Sequence, residues 1–147
     1  MEKAKIDRAA GYRVLGELAG DATVEGTLAP LDALAPGFPD WIVTAVFGGT
    51  YQREGLAPRD RQIATLAALT AFGGVEPQLE DHIRNSLRIG MESAEIVEVM
   101  VHLAPYVGVP KALAGLRVVA GVLRDNEAAG TAPPHGPEVP AEDGAGA

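Results

Sequence analysis

Leu79-Glu80-Asp81-His82-Ile83-Arg84-Asn85-Ser86-Leu87-Arg88-Ile89-Gly90 reads as a short helix closed by a glycine. Leu79, Ile83 and Leu87 recur at four-residue spacing and so share one face. His82 stands three residues after Leu79, at the edge of that apolar stripe and away from Glu80, Asp81, Arg84 and Arg88. The pattern aims a titratable group at a helix interface. The remainder of the chain reads as scaffold around it.

Upstream, Pro58 falls where a first-turn proline is tolerated. Ile63, Leu66, Ala67 and Thr70 follow at i, i+3, i+4 and i+7, and Gly73-Gly74 ends that helix before Pro77 opens the next. Downstream, Ser93 is a candidate cap, with Glu95 near the positive end of the helix it would start. Residues 96–107 are apolar almost all round, and Glu95, Glu98 and His102 form one narrow polar stripe. A helix apolar on most sides is buried on most sides, which in a chain this small predicts burial against another subunit. Glu98 and His102 are also spaced for an i, i+4 pair. Gly108 and Pro110 break the pattern, and it resumes over 111–124 with Leu113, Leu116, Val119, Ala120 and Leu123.

On the N-terminal side, Ile6, Ala10, Val14, Leu15 and Leu18 predict an amphipathic helix over 3–18, ended by Gly20-Asp21. Residues 23–35 are ambiguous, at most a short helix around 28–34, with Pro30 and Pro36 as breakers. Asp40 is the candidate N-cap of an apolar helix over 41–47, stopped by Gly48-Gly49, which Tyr51 and Gln52 could extend. Trp41 and Tyr106 read as core or subunit-interface aromatics.

The composition, 47% hydrophobic, 22% charged and only 5% aromatic, describes a globular chain biased toward closely packed helices. At 147 residues it makes one domain, expected over 1–125. Residues 126–147 hold four prolines, four glycines, four acidic residues and no lysine or arginine. They read as a disordered acidic tail, with His135 inside it. The net charge of −8 argues against nucleic acid and an anionic membrane as partners, and an anionic substrate would need a local basic pocket. The absence of cysteine removes disulfides, thiolate metal sites and a cysteine nucleophile together. With no signal-type apolar run at the N-terminus and no bilayer-length apolar stretch, the expected location is the cytoplasm.

Gly55-Leu-Ala-Pro-Arg-Asp-Arg-Gln-Ile-Ala-Thr-Leu-Ala-Ala-Leu, His82 with Gly90 eight residues on, Glu95-Ile96-Val97-Glu98 and Pro105-Tyr106-Val107-Gly108-Val109-Pro110 together resemble the carboxymuconolactone decarboxylase family. Gly11-Tyr-Arg-Val-Leu-Gly16 is similar to the family's first helix. The resemblance implies an all-α fold of about six helices around a helical-hairpin core, assembled as a homo-oligomer, a trimer or a hexamer. One branch of the family resembles alkylhydroperoxidases and depends on a Cys-x-x-Cys pair just ahead of the histidine. Those positions are Val75 and Gln78 here, so thiol peroxide chemistry is excluded. The other branch resembles lactone decarboxylases, which implies no metal and no organic cofactor.

Loss of carbon dioxide from a carboxy-lactone sends electron density through the conjugated ring to the lactone oxygen, and a proton must then return to carbon. His82 suits either task, as donor to the oxyanion or as general acid. Arg61 and Arg84 are the candidate cations for a substrate carboxylate, and His102 is a second candidate to line the cavity. In many relatives an acidic residue follows the arginine matched by Arg61, whereas this chain has Gln62, which can hydrogen-bond but cannot carry a proton. Three classes of function therefore remain open. They are a cofactor-free lyase acting on a carboxylated lactone or similar small cyclic acid, a diverged isomerase or cyclase, and a non-catalytic oligomeric small-molecule-binding module.

Overall fold

A computed structural model describes residues 5–130. Seven α-helices follow in order: α1 (Arg8–Ala19), α2 (Asp21–Leu34), α3 (Phe38–Ile42), α4 (Pro58–Phe72), α5 (Glu76–Arg88), α6 (Ser93–Val107) and α7 (Val109–Gly130). A π turn (Val43–Phe47) and a 3-10 turn (Thr50–Gln52) lie between α3 and α4, and there is no strand among the described residues. The all-α class stands, with one more helix than expected.

The core lies among α4, α5, α6 and α7. Leu66, Leu79, Ile83, Met91, Ile96, Met100, Val119 and Val122 form one buried cluster. Leu79 and Ile83 come from the stripe that flanks His82, with Leu87 partly buried against them. Each fully buried aliphatic side chain here contributes about 1.5–3 kcal/mol. Gly108, at φ +91°, makes the sharp turn that folds α7 onto α6. Gly115 lets the pair close, because a Cβ there would stand 2.7 Å from Met100 Sδ.

Several boundaries differ from the sequence expectation, each for a local reason. The first helix begins at Arg8 rather than residue 3, because Asp7 is its N-cap and accepts from the Ala10 amide at 2.9 Å. The ambiguous stretch is the full helix α2, which carries Pro30 inside it and buries no residue, so no apolar stripe announced it. Gly37, in the left-handed conformation, precedes α3 where Asp40 was expected to cap. Asp40 instead binds Arg8 at 2.6 Å and accepts from the Tyr12 hydroxyl at 2.7 Å, tying α3 to α1. Glu92, not Ser93, caps α6 through a reciprocal capping box with Glu95. Trp41 is 62% exposed and stacks on Phe38, and Tyr106 is 73% exposed, so neither belongs to the core of this chain. The last helix continues past 125 to Gly130, carrying Asp125 and Asn126 onto Arg84. The remainder of the expected tail, with His135, lies outside the described residues.

The π turn positions the functional region. The Gly48 amide donates to Val43 O at 3.0 Å, and the Asp7 amide donates to Gly48 O at 2.8 Å, so the widened turn is clamped to the start of α1. That contact requires glycine at both positions. A Cβ on Gly11 would lie 2.7 Å from Gly48 N and 2.9 Å from Val43 O, both backbone atoms that cannot swing away. Gly11→Ala is expected to destabilise the protein by about 1–3 kcal/mol. Gly26→Ala, where a Cβ on α2 meets nothing, should stabilise it by about 0.5–1 kcal/mol. Chemical denaturation of the two variants checks the contrast, and an unaffected Gly11→Ala would contradict the clamp.

Candidate active site

Past the π turn, Gln52 donates from Nε2 to Phe47 O at 2.8 Å, and the Phe47 and Tyr51 rings pack with centroids 5.1 Å apart. These contacts turn the Tyr51 hydroxyl toward α4, where it meets Gln62. The Gln62 side chain is completely buried. Its Nε2 donates to Tyr51 Oη at 3.1 Å, and its Oε1 lies 3.0 Å from His82 Nδ1 on α5. Ser86, one helical turn after His82, donates to His82 O at 2.7 Å and sets its Oγ 3.5 Å from Gln62 Oε1. The site is thus an imidazole, an amide and a phenol in a row, drawn from α5, α4 and the 3-10 turn.

Burial pushes the His82 imidazole below its ordinary value, against the opposing pull of the Asp81 carboxylate. Burial also pushes the Tyr51 hydroxyl up, opposed by Thr65 and the Arg61 charge, so the phenol is protonated at neutral pH. Neither partner of Gln62 carries charge at neutral pH, which suits a fully desolvated amide.

Arg61 belongs to the same neighbourhood. Its guanidinium lies 5.5 Å from the Tyr51 ring centroid, and Nη2 donates to Arg53 O at 2.6 Å. Its Nε is buried without a hydrogen-bond partner. Arg84 sits differently: its Nη2 binds Glu80 at 2.8 Å and Asp125 at 2.9 Å, which commits its charge to carboxylates of the chain itself. His102 is exposed, with its ring 5.3 Å from that of Tyr106, and it lines an open depression with Arg59, Glu95, Glu98 and Val99. The spacing-based pair with Glu98 is replaced by this aromatic contact.

Of the sequence candidates, the structure therefore brings His82 and Gln62 into contact and sets Arg61 against their Tyr51 partner. Arg84 and His102 stand apart from that group within this chain. Tyr51 is the residue that sequence reasoning missed. Its signal was weak, an aromatic just after the Gly48-Gly49 break, because its direction depends on a π turn that apolar spacing does not reveal. Among the described residues no group of three or more histidine and carboxylate side chains is placed to hold a metal ion. No described helix is long and apolar enough to cross a membrane.

The described residues thus form an all-helical domain in which a half-buried imidazole and a half-buried phenol flank one fully buried amide. Residues 36–121 match the carboxymuconolactone decarboxylase family, and the chain belongs to that family. The matched stretch holds Tyr51, Arg61, Gln62 and His82. The chain is 29% identical over 115 residues to the 4-carboxymuconolactone decarboxylase of Acinetobacter baylyi, covering 78% of this chain and 85% of that protein. It is also 30% identical over 98 residues to an uncharacterised 15.0 kDa protein of Paracoccus denitrificans, covering 66% of this chain and 73% of that one.

The depressed imidazole has a consequence for stability. Between the folded value of His82 and the ordinary value of 6.5, the unfolded chain binds more protons than the folded one, so stability rises with pH across that window. The contribution is fully present above the ordinary value and is lost as pH falls through the folded one. His82→Gln should flatten this part of the curve of unfolding free energy against pH. An identical acid slope in the variant would show that His82 is not the group being desolvated.

Proposed function

We propose that the protein is a lyase of the carboxymuconolactone decarboxylase type, acting without a cofactor on a carboxylated lactone or a similar small cyclic acid. The family and the Acinetobacter relative support a decarboxylase-like function. The observation that carries the finer reading is the half-buried contact of His82 Nδ1 with Gln62 Oε1 at 3.0 Å, beside an arginine whose Nε has no partner.

In this reading the bond from the ring carbon to the carboxylate breaks and carbon dioxide leaves. The electron pair passes through the conjugated ring to the lactone carbonyl oxygen. His82, in its protonated form, stabilises that oxyanion and delivers a proton to the ring carbon, and the imidazole is reprotonated from solvent. Arg61 holds a substrate carboxylate, which gives its unpartnered N–H an acceptor and offsets the repulsion of a chain with net charge −8. The substrate is a small organic anion, and the protein works as a homo-oligomer in the cytoplasm. Val101, Tyr106, Val109 and Leu113, exposed on α6 and the start of α7, supply an apolar surface for a second copy.

The second reading is a diverged isomerase or cyclase. It is favoured by one observation, that the group holding His82 is an amide where many relatives have an acid. Such an enzyme would draw a proton from the substrate with neutral His82 and return it elsewhere.

Carbon dioxide release from carboxymuconolactone by the purified protein tests the primary reading. His82→Ala should lower kcat by about 10²–10⁴-fold, the usual share of a general acid. Arg61→Gln should raise KM by about tenfold or more, the loss of one charge-assisted contact. No turnover from the folded oligomer would move the assignment to the isomerase reading, and turnover unaffected by His82→Ala would remove His82 from the chemistry.

A further inference from the structure

We infer that Tyr51 and Gln62 are positioning residues that lock His82 with its ring proton on Nδ1, so that Nε2 is the nitrogen that meets the substrate. The inference rests on the reading above only for what Nε2 then does. The tautomer itself follows from the direction of a hydrogen-bond chain.

A buried amide has one accepting end and one donating end, and both must be satisfied. Taken alone, Gln62 could point either way between His82 and Tyr51, since a hydroxyl both donates and accepts. In the structure the amide nitrogen faces the phenol, and the amide oxygen faces His82 and Ser86. Tyr51 Oη accepts from Gln62 Nε2 at 3.1 Å. That leaves Gln62 Oε1 toward His82, and Nδ1 must carry the hydrogen that satisfies it at 3.0 Å.

Ser86 cannot substitute for that donor, because its proton goes to His82 O at 2.7 Å while its Oγ is 3.5 Å from Oε1. The direction therefore runs from His82 Nδ1–H to Gln62 Oε1 and from Gln62 Nε2–H to Tyr51 Oη. The Arg61 guanidinium lies over the Tyr51 ring, so the phenol that orients the amide also stands beside the candidate cation. A carboxylate at position 62 would also accept from Nδ1–H but would bring a charge into the row. The amide orients the ring without that charge.

Long-range ¹H–¹⁵N correlation spectra of ¹⁵N-histidine-labelled full-length protein, recorded without substrate above the titration range of His82, test the inference. Wild type should show His82 with a protonated Nδ1 and a bare Nε2, while exposed His102 serves as the internal reference. Tyr51→Phe removes the acceptor for Gln62 Nε2–H, and Gln62→Leu removes the acceptor for His82 Nδ1–H. Each should convert the single His82 tautomer into a mixture. In the lyase assay Tyr51→Phe should lower kcat with KM little changed, a split that a packing role would not give. A bare Nδ1 in wild type, or a His82 tautomer unmoved in both variants, would overturn the inference. Because the spectra need no turnover, a protein inactive on the lactone would still reveal which ring nitrogen of His82 holds the proton.

Discussion

The burial of Gln62 is the constraint on which the site depends. An amide removed from water must find a donor and an acceptor within the protein, and leaving either end unpaired costs about 1–3 kcal/mol. Here the acceptor for its N–H is a phenol from the 3-10 turn, and the donor to its oxygen is an imidazole from α5. Three elements distant in sequence are therefore held in register by one side chain on α4. The same requirement fixes the His82 ring far more tightly than apolar contacts on its flanks could, since a rotated ring would strand a buried oxygen.

The scaffold serves this arrangement from two sides. On one, the Leu66–Ile83–Ile96–Met100 core sets the spacing of α4 against α5, which brings Gln62 and His82 within hydrogen-bonding distance. On the other, the Gly11–Gly48 contact locks the π turn onto α1, and this places Phe47 and then Tyr51. A π turn widens the helix by one residue, and such widenings are frequent at functional sites because they re-aim the chain that follows. The pairing of Arg8 and Tyr12 with Asp40 belongs to the same N-terminal brace.

The helices around the core were legible because burial imposes a period. The stripe of Leu79, Ile83 and Leu87 gave both α5 and the edge position of His82, and the glycines at 73, 90 and 108 gave the stops. What was not legible depends on contacts that leave no period. Helix α2 lies on the surface with no buried residue, so nothing distinguished it from a loop interrupted by Pro30. Arg84 looked available until Asp125, forty-one residues on, was placed beside it. Gln62 stood out as a departure from a family pattern, but that it is wholly buried and touches Tyr51 follows from the π turn, which no local propensity announces.

The central claim is that a neutral amide holds a proton-donating His82 whose imidazole lies below its ordinary value. The most direct measurement is the pH dependence of lactone decarboxylation by wild type and by Gln62→Glu. If protonated His82 is the donor, the wild-type rate falls as pH rises through the depressed His82 value. A carboxylate placed beside Nδ1 raises that value, so the falling limb of Gln62→Glu should move to higher pH. A limb that stays in place in the variant, or a rate that climbs with pH in wild type, would contradict the account.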